Sequence, residues 1–424
     1  MKNTTHRQYN LFNTTVVSTC EPENIKTVLA TKFEDWNLGP ARSANFSDLI
    51  GNGIFTADGH KWAHFRAQLK PTFTRDHVSD LETANRHLQI LFKALPEENA
   101  DGWVESVDIK PLIYRFTMDT STEFLFGHSV NSQTTNIHSL ESGNATEAKE
   151  ELNFSDAMTY AQDIIVYRIR LRSLYWLAST AKFKKACKTV HDFADRFVKL
   201  ALDPSYKRNS EKLILLDALL DTTRDPIELR DQILQVLLAG RDTTSALMSW
   251  VILLLANDPA QYKKLRDIII SQFGTEDNPT TEITFSSLKS CKHLTHVLYE
   301  TLRLYPLVPL NGRKAVRDTV LPSGGGKDGK QPIAIMKGEE VGYSVYVMQR
   351  RHDIWGEDAD VFRPERWEGR KLGWEFVPFS GGPRVCLGRE SSFLLTPLLL
   401  YVISVDDEGV LRERRLMGSR TICA

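Results

Sequence analysis

The sequence predicts a mainly α-helical fold with a small β portion, held in one large domain. Helical periodicity runs through most of the chain as far as Tyr305, and a β-like grammar replaces it after Pro306. Neither an internal repeat nor a clear linker divides the two. At 424 residues, with 42% hydrophobic and 25% charged, the chain can bury a sizeable core.

The elements follow in order. PENIKTVLATKF (Pro22–Phe33) reads as a short amphipathic helix, and DGHKWAHFRAQLKPTF (Asp58–Phe73) as a helix stopped near Pro71. Arg75 to Leu95 and Ile109 to Phe126 carry apolar residues at three- and four-residue spacing. The polar stretch 129–152 reads as a long surface loop, followed by helices over Asp156–Leu171 and Ala178–Ala201. Asp225–Pro259 opens with Asp at a cap and Pro at the first helical position, and closes on Asn-Asp-Pro. Unbroken, it would run about 45 Å, long enough to cross a domain through its core. Helices over Ala260–Phe273 and Phe285–Tyr305 come next. Short β-like runs (Lys314–Leu321, Pro332–Met336, Glu340–Tyr343) are interrupted by PSGGGKDGKQP, and an irregular stretch fills Arg351–Pro378.

Composition excludes several function classes. Lys+Arg of 53 against Asp+Glu of 54 leaves no basic surplus, so no nucleic-acid partner is expected. The five cysteines are odd in number and scattered, which argues against a disulfide framework or a zinc site. The N-terminus shows neither a leader pattern nor a run of about 20 apolar residues. A soluble or peripherally attached chain is expected.

Cys386 is the first residue with chemistry to explain. Gly381, Gly382 and Gly388 let backbone approach a flat ligand, Pro383 stiffens the turn, and Arg384 places a fixed positive charge two residues before the sulfur. Positive charge and a following helix N-terminus both favour a thiolate. The alternative is a structural cysteine beside a glycine turn. Elsewhere, Glu300 and Arg303 lie three apart on an apolar helix, where buried charges need satisfying. Ala239-Gly240-Arg241-Asp242-Thr243-Thr244 puts a glycine and hydroxyls in the middle of an apolar rod. Those threonines could simply bond back to the preceding turn.

Phe379-x-x-Gly382-x-Arg384-x-Cys386-x-Gly388 resembles the haem-thiolate loop of the cytochrome P-450 monooxygenases. The resemblance covers roughly Thr14 to Arg389. It implies the cytochrome P-450 fold, with haem between a long distal helix and a proximal cysteine loop, and haem b ligated by Cys386. Phe379 and Gly388 belong to that loop. Trp62 and Arg66, Arg313 and Arg384 match the family's propionate partners. The resemblance further implies that Gly240 makes room for dioxygen, that a local disruption of the helix ladder admits water, and that Thr243 with Asp242 forms a proton route. Glu300, Arg303 and Arg366 form a structural network that steadies the cysteine loop.

The wording is most similar to the fungal branch that hydroxylates n-alkanes and fatty acids. This implies a long-chain apolar substrate, O₂, and electrons from NADPH through a partner reductase at the cytosolic face of the endoplasmic reticulum. Pocket residues are expected from Ser47–Phe55, Tyr160–Trp176, Val236–Gly240 and Val308–Asn311. Two departures qualify this. Relatives begin with a membrane anchor that this chain does not show, so a cytoplasmic chain is also open. After Arg389 the family's proximal helix is interrupted by Pro397, and 390–424 reads like a frameshifted or mis-spliced tail. Two rivals follow: a haem-thiolate isomerase or dehydratase, and a truncated, non-catalytic fragment that does not hold haem stably.

Overall fold

The computed structural model describes residues 4–9, 15–73, 81–96, 107–134, 145–208, 214–275 and 278–405. Its longer helices, in chain order, are α1 (Pro40–Ile50), α2 (Gly59–Leu69), α3 (Leu81–Lys93), α4 (Ile109–Phe126), α5 (Ala145–Leu171), α6 (Ala181–Leu202), α7 (Pro226–Asn257), α8 (Pro259–Phe273), α9 (Lys292–Leu304) and α10 (Arg389–Val405). Strands β1 (Thr5–Tyr9), β2 (Thr15–Thr19) and β3 (Trp36–Asn37) precede them, and β4 (Leu310–Ala315), β5 (Thr319–Gly325), β6 (Gln331–Ile335) and β7 (Glu340–Ser344) follow α9. The chain divides into two compact units, Met1–Gly39 with Cys291–Arg389, and Pro40–Ser290 with Glu390–Ala424.

The first unit holds the sheets. One has the order β1-β2-β7-β4-β3, with β2 and β7 parallel and its other pairs antiparallel; β5 and β6 form a separate antiparallel pair. The β-branched run of β2 explains its place, since Val17 is fully buried among Ile25, Leu29, Val341 and Tyr343. Asn24 ties β1, β2 and β5 together. Its buried amide donates to the Thr5 and Thr19 hydroxyls and to the Ser323 carbonyl. The N-terminal strands carry no strong periodicity, so the sequence gives no sign of them.

The second unit is built on α7, whose 32 residues match the predicted long helix almost to the residue. Asp225 caps it through the Ile227 N–H, and Pro226 occupies the first helical position. It packs against α4 and α6, while α5 packs against α6. Helix α4 also begins and ends where its signals stand, with Asp108 accepting from the Lys110 N–H and Gly127 left-handed after Phe126.

Four expectations are corrected. The predicted Pro22–Phe33 helix is α-helical only to Lys26, then becomes a π turn over Thr27–Thr31 and a 3₁₀ turn over Phe33–Asp35. Its β-branched residues and the bond from the Thr27 hydroxyl to the Glu23 carbonyl disfavour regular continuation. The predicted loop 129–152 ends early, because α5 starts at Ala145; its Ala, Glu and Lys residues are good helix formers without an apolar stripe. The predicted Phe285–Tyr305 helix is two, Phe285–Ser290 and α9, broken at an extended Cys291. The predicted strand Lys314–Leu321 straddles the end of β4 and the start of β5. The beginning of the Arg75–Leu95 helix, Cys423 and the tail beyond 405 lie outside the described residues. Helix α10 runs through Pro397, because Leu394, Leu398, Leu399, Leu400 and Ile403 are buried and hold it against the lost bond.

Candidate active site

In the first unit Glu300 pairs with Arg303 as their spacing predicts, and Arg366 joins them as the resemblance implies. Arg303 Nε and Nη2 donate to Glu300 Oε2 and Oε1 at 2.9 and 2.8 Å, and Arg366 Nε reaches Oε1 at 3.2 Å. Glu300 and Arg303 are fully buried. The carboxylate also accepts from the Arg363 N–H and the Trp367 indole N–H. The arginines spend their remaining donors on the irregular stretch: Arg303 on the carbonyls of Gln349 and Ala359, Arg366 on the carbonyl of Trp355 and on Asp358. Gln349, absent from the sequence reading, joins them. Its side chain donates to the Leu302 and Arg303 carbonyls and accepts from the Val377 N–H. This chain of bonds reaches Val377, two residues before the cysteine loop opens at Phe379.

The loop itself is tightly determined. The Cys386 N–H donates to the Phe379 carbonyl at 3.0 Å, and the Val385 N–H to Gly382 at 3.1 Å. Gly382 has φ +65°, and a Cβ there would run into the Leu29 carbonyl, so glycine is required. Arg384 closes a 3₁₀ turn over Gly382–Arg384, and Gly388 directly precedes α10. Cys386 ends up exposed, whereas Cys20, Cys187 and Cys291 are buried. Burial pushes all three of those thiols up, Cys187 to about 12, so none of them readily gives a thiolate. Arg313, on β4, is 5% exposed, and its Nη1 donates to the Gly312 carbonyl and Asn311 Oδ1. Among the described residues no carboxylate pairs with it.

In the second unit the motif Ala239–Thr244 lies on α7, and here the structure corrects an expectation. The helix continues without interruption through the motif. The Thr243 hydroxyl donates to the Ala239 carbonyl at 2.6 Å and the Ser245 hydroxyl to the Asp242 carbonyl at 3.0 Å. These bonds back to the preceding turn satisfy the hydroxyls without opening the ladder. A Cβ at Gly240 would meet only Ser121 Oγ, at 3.6 Å, so the glycine leaves space beside the helix. On α2, Trp62 is buried and the Arg66 guanidinium lies 5.8 Å from its ring centroid, the one-face arrangement expected. Of the expected pocket segments, Tyr160–Trp176 is partly turned outward, since Tyr167, Ile169, Leu174 and Trp176 are exposed. The loop after α1 is instead drawn onto α7. The Asn52 N–H donates to Asp231 Oδ2 and the Phe55 N–H to Gln235 Oε1, each at 2.8 Å.

These donor sets suit a haem. The first unit offers an exposed thiol on a fixed loop and a buried guanidinium that pairs with no carboxylate among the described residues, matching an iron ligand and a carboxylate partner. The second offers a helix relieved of one side chain at Gly240. Such chemistry fits a haem-thiolate oxygenase. The family model for cytochrome P450 matches residues 6–392. Cytochrome P450 monooxygenase g430 of a Fusarium species is 48% identical over 396 residues, covering 91% of this chain and 69% of that protein. Cytochrome P450 52A4 of Candida maltosa is 45% identical over 420 residues (96% and 77%), and cytochrome P450 52A1 of Candida tropicalis 44% over 391 (90% and 70%). The chain belongs to the cytochrome P450 family. It is a haem-thiolate monooxygenase that draws its electrons from a reductase. Among the described residues no helix is long and apolar enough to cross a membrane.

Proposed function

We propose that Cys386 is the thiolate ligand of the haem iron, and that the enzyme hydroxylates a long-chain apolar substrate, an n-alkane or a fatty acid. The observation that carries the ligand is the contrast among the described cysteines: Cys386 alone is exposed and set in a fixed glycine turn. The substrate class rests on the wording of the motifs, which is most similar to the fungal alkane and fatty-acid hydroxylases.

When bound, haem supplies the iron chemistry by which R–H + O₂ + 2e⁻ + 2H⁺ gives R–OH + H₂O. The residues of the chain do the rest. Trp62, Arg66, Arg313 and Arg384 are the residues that would partner the propionates. Glu300, Arg303 and Arg366 keep the Cys386 loop still by fixing the stretch that leads into it. Gly240 leaves room for dioxygen. Asp242 takes up a proton and Thr243 passes it on, its hydroxyl exchanging the Ala239 carbonyl for the reacting oxygen. The partner is an NADPH-dependent cytochrome reductase, at the cytosolic face of the endoplasmic reticulum.

The test is the carbon monoxide difference spectrum of the reduced chain. The wild type and Cys291→Ser are expected to give the thiolate-type band, and Cys386→Ser to lose it. A wild type without haem, or with only the non-thiolate band, would instead establish a non-catalytic fragment. Spectral titration and turnover with fatty acids and alkanes then decide the substrate.

A further inference from the structure

Arg241 is a buried charge that the proposed reaction does not use. It lies on α7 and is 4% exposed. Nη1 donates to Gln162 Oε1 and Nη2 to Thr159 Oγ1, both at 2.6 Å and both on α5. The guanidinium carbon also sits 5.2 Å from the ring centroid of Tyr114 on α4. Three helices therefore meet at this one side chain.

Its neighbour along the chain is Asp242. Arg241 Nη1 is 3.7 Å from Asp242 Oδ1, close enough for attraction between charges and too far for a hydrogen bond. Nη1 is instead committed to Gln162. Asp242 Oδ1 and Arg241 Nε are both buried without a hydrogen-bond partner. At Oδ1 the carboxylate is thus compensated by charge rather than by a donor. The other charged and titratable groups facing it are Tyr114 and Lys110 on α4 and Asp163 on α5. Burial pushes the Asp242 carboxyl above the ordinary aspartate range; Arg241 is the first opposing influence, Asp163 adds to the rise, and Lys110 opposes it.

We infer that Arg241 is a positioning residue for proton delivery: held by Thr159 and Gln162 of α5, its guanidinium keeps the Asp242 carboxyl ionisable and in place. This rests on the reading of Asp242 as the proton-delivering group. The consequence is that the seat of α5 on α7 helps to set the proton supply. A small displacement of Thr159 and Gln162 would carry the guanidinium away from, or toward, Asp242 Oδ1.

The experiment uses the haem-loaded full chain. The infrared band of the protonated Asp242 carboxyl, assigned by its disappearance in Asp242→Asn, is titrated with pH in wild type, Arg241→Gln and Arg241→Lys. In Arg241→Gln the midpoint is expected to rise by about one pH unit. The acid limb of product formed per NADPH consumed should move with it, while the carbon monoxide band stays in place. Arg241→Lys should restore most of both. An unchanged midpoint overturns the inference. A raised midpoint with an unchanged acid limb overturns the role of Asp242 on which it rests. Should Arg241→Gln fail to hold haem, Gln162→Leu, which removes one tether and no charge, must shift the midpoint; no shift there overturns the inference as well.

Discussion

Glu300 carries more of the first unit than any sequence spacing announces. One carboxylate receives two arginines, a backbone N–H and an indole N–H, all in a site closed to water. A buried ion pair is weak evidence of net stabilisation, because desolvating the charges offsets most of their attraction. Removing one partner is another matter. Glu300→Ala leaves the Arg303 guanidinium buried without its anion and Arg366 with Asp358 alone, and is expected to cost about 3–5 kcal/mol. Denaturant unfolding of the purified chain measures it. A loss below about 1 kcal/mol would show that water enters the site and takes over the carboxylate's role. Arg303→Met should be no milder, since the carbonyls of Gln349 and Ala359 would also lose their donor. The same residue scale separates the four described cysteines. Sequence marks Cys386 by its neighbours, and the structure marks it again by exposure.

At the scale of elements, what decides the second unit is how a short loop is pinned to a long helix. Asp231 and Gln235 stand one turn apart on α7 and take the N–H groups of Asn52 and Phe55. Gln235 Nε2 also donates to the Ile50 carbonyl, at 3.3 Å. Gly51, at φ +58°, and Gly53 lie so close to these side chains that a Cβ at either would overlap them. Gln235→Leu keeps the volume and removes the bonds. It is expected to cost about 1–3 kcal/mol and to speed amide exchange over 47–57. Unchanged exchange there would mean that packing alone holds the loop. Helices with their own caps were legible from sequence: α7 from Asp225 and Pro226, α4 from Asp108 and Gly127. So were Glu300 with Arg303, three residues apart on an apolar helix. The clamp was not, because its partners are 179 and 180 residues apart. Two polar residues at four-residue spacing in an apolar rod were the available signal. Strand β2 escaped for a related reason, since its pairing with β7 is set by residues more than 300 positions away. The continuity of α7 through Thr243 escaped because back-bonding and ladder opening look alike in sequence.

Across the molecule, the two units differ in the carboxylates they carry, and so in their response to acid. In the second unit, burial raises Asp119, Asp231 and Asp242 above the ordinary aspartate range, and of its aspartates with a resolved shift only the exposed Asp203, bonded by Ser205, is lowered. In the first unit, Asp353 is held low by Arg351, Asp358 by Arg366 and Asp360 by His352. The signs are opposite. A carboxyl raised on folding binds its proton more tightly in the folded state than in the unfolded one, where it titrates near 3.9. The stability it gives is present in full below that value and is lost as pH rises through the folded one. Acidifying from neutral toward about pH 4 should therefore relieve the second unit. A carboxyl lowered on folding does the reverse: its contribution is present above about 3.9 and is lost as pH falls below that. The first unit should be indifferent until then, and the loss should be small, because these aspartates are solvent-screened. Amide exchange followed by mass spectrometry, corrected for intrinsic rates, reads both units in one sample. Protection around Asp231 should increase on acidification in the wild type and become flat in Asp231→Asn, which can still accept the Asn52 N–H. If both proteins lost protection alike from neutral pH downward, burial at Asp231 would be outweighed by the Asn52 N–H and Arg230, the two influences that pull it down. The pH response of the second unit would then have to arise elsewhere.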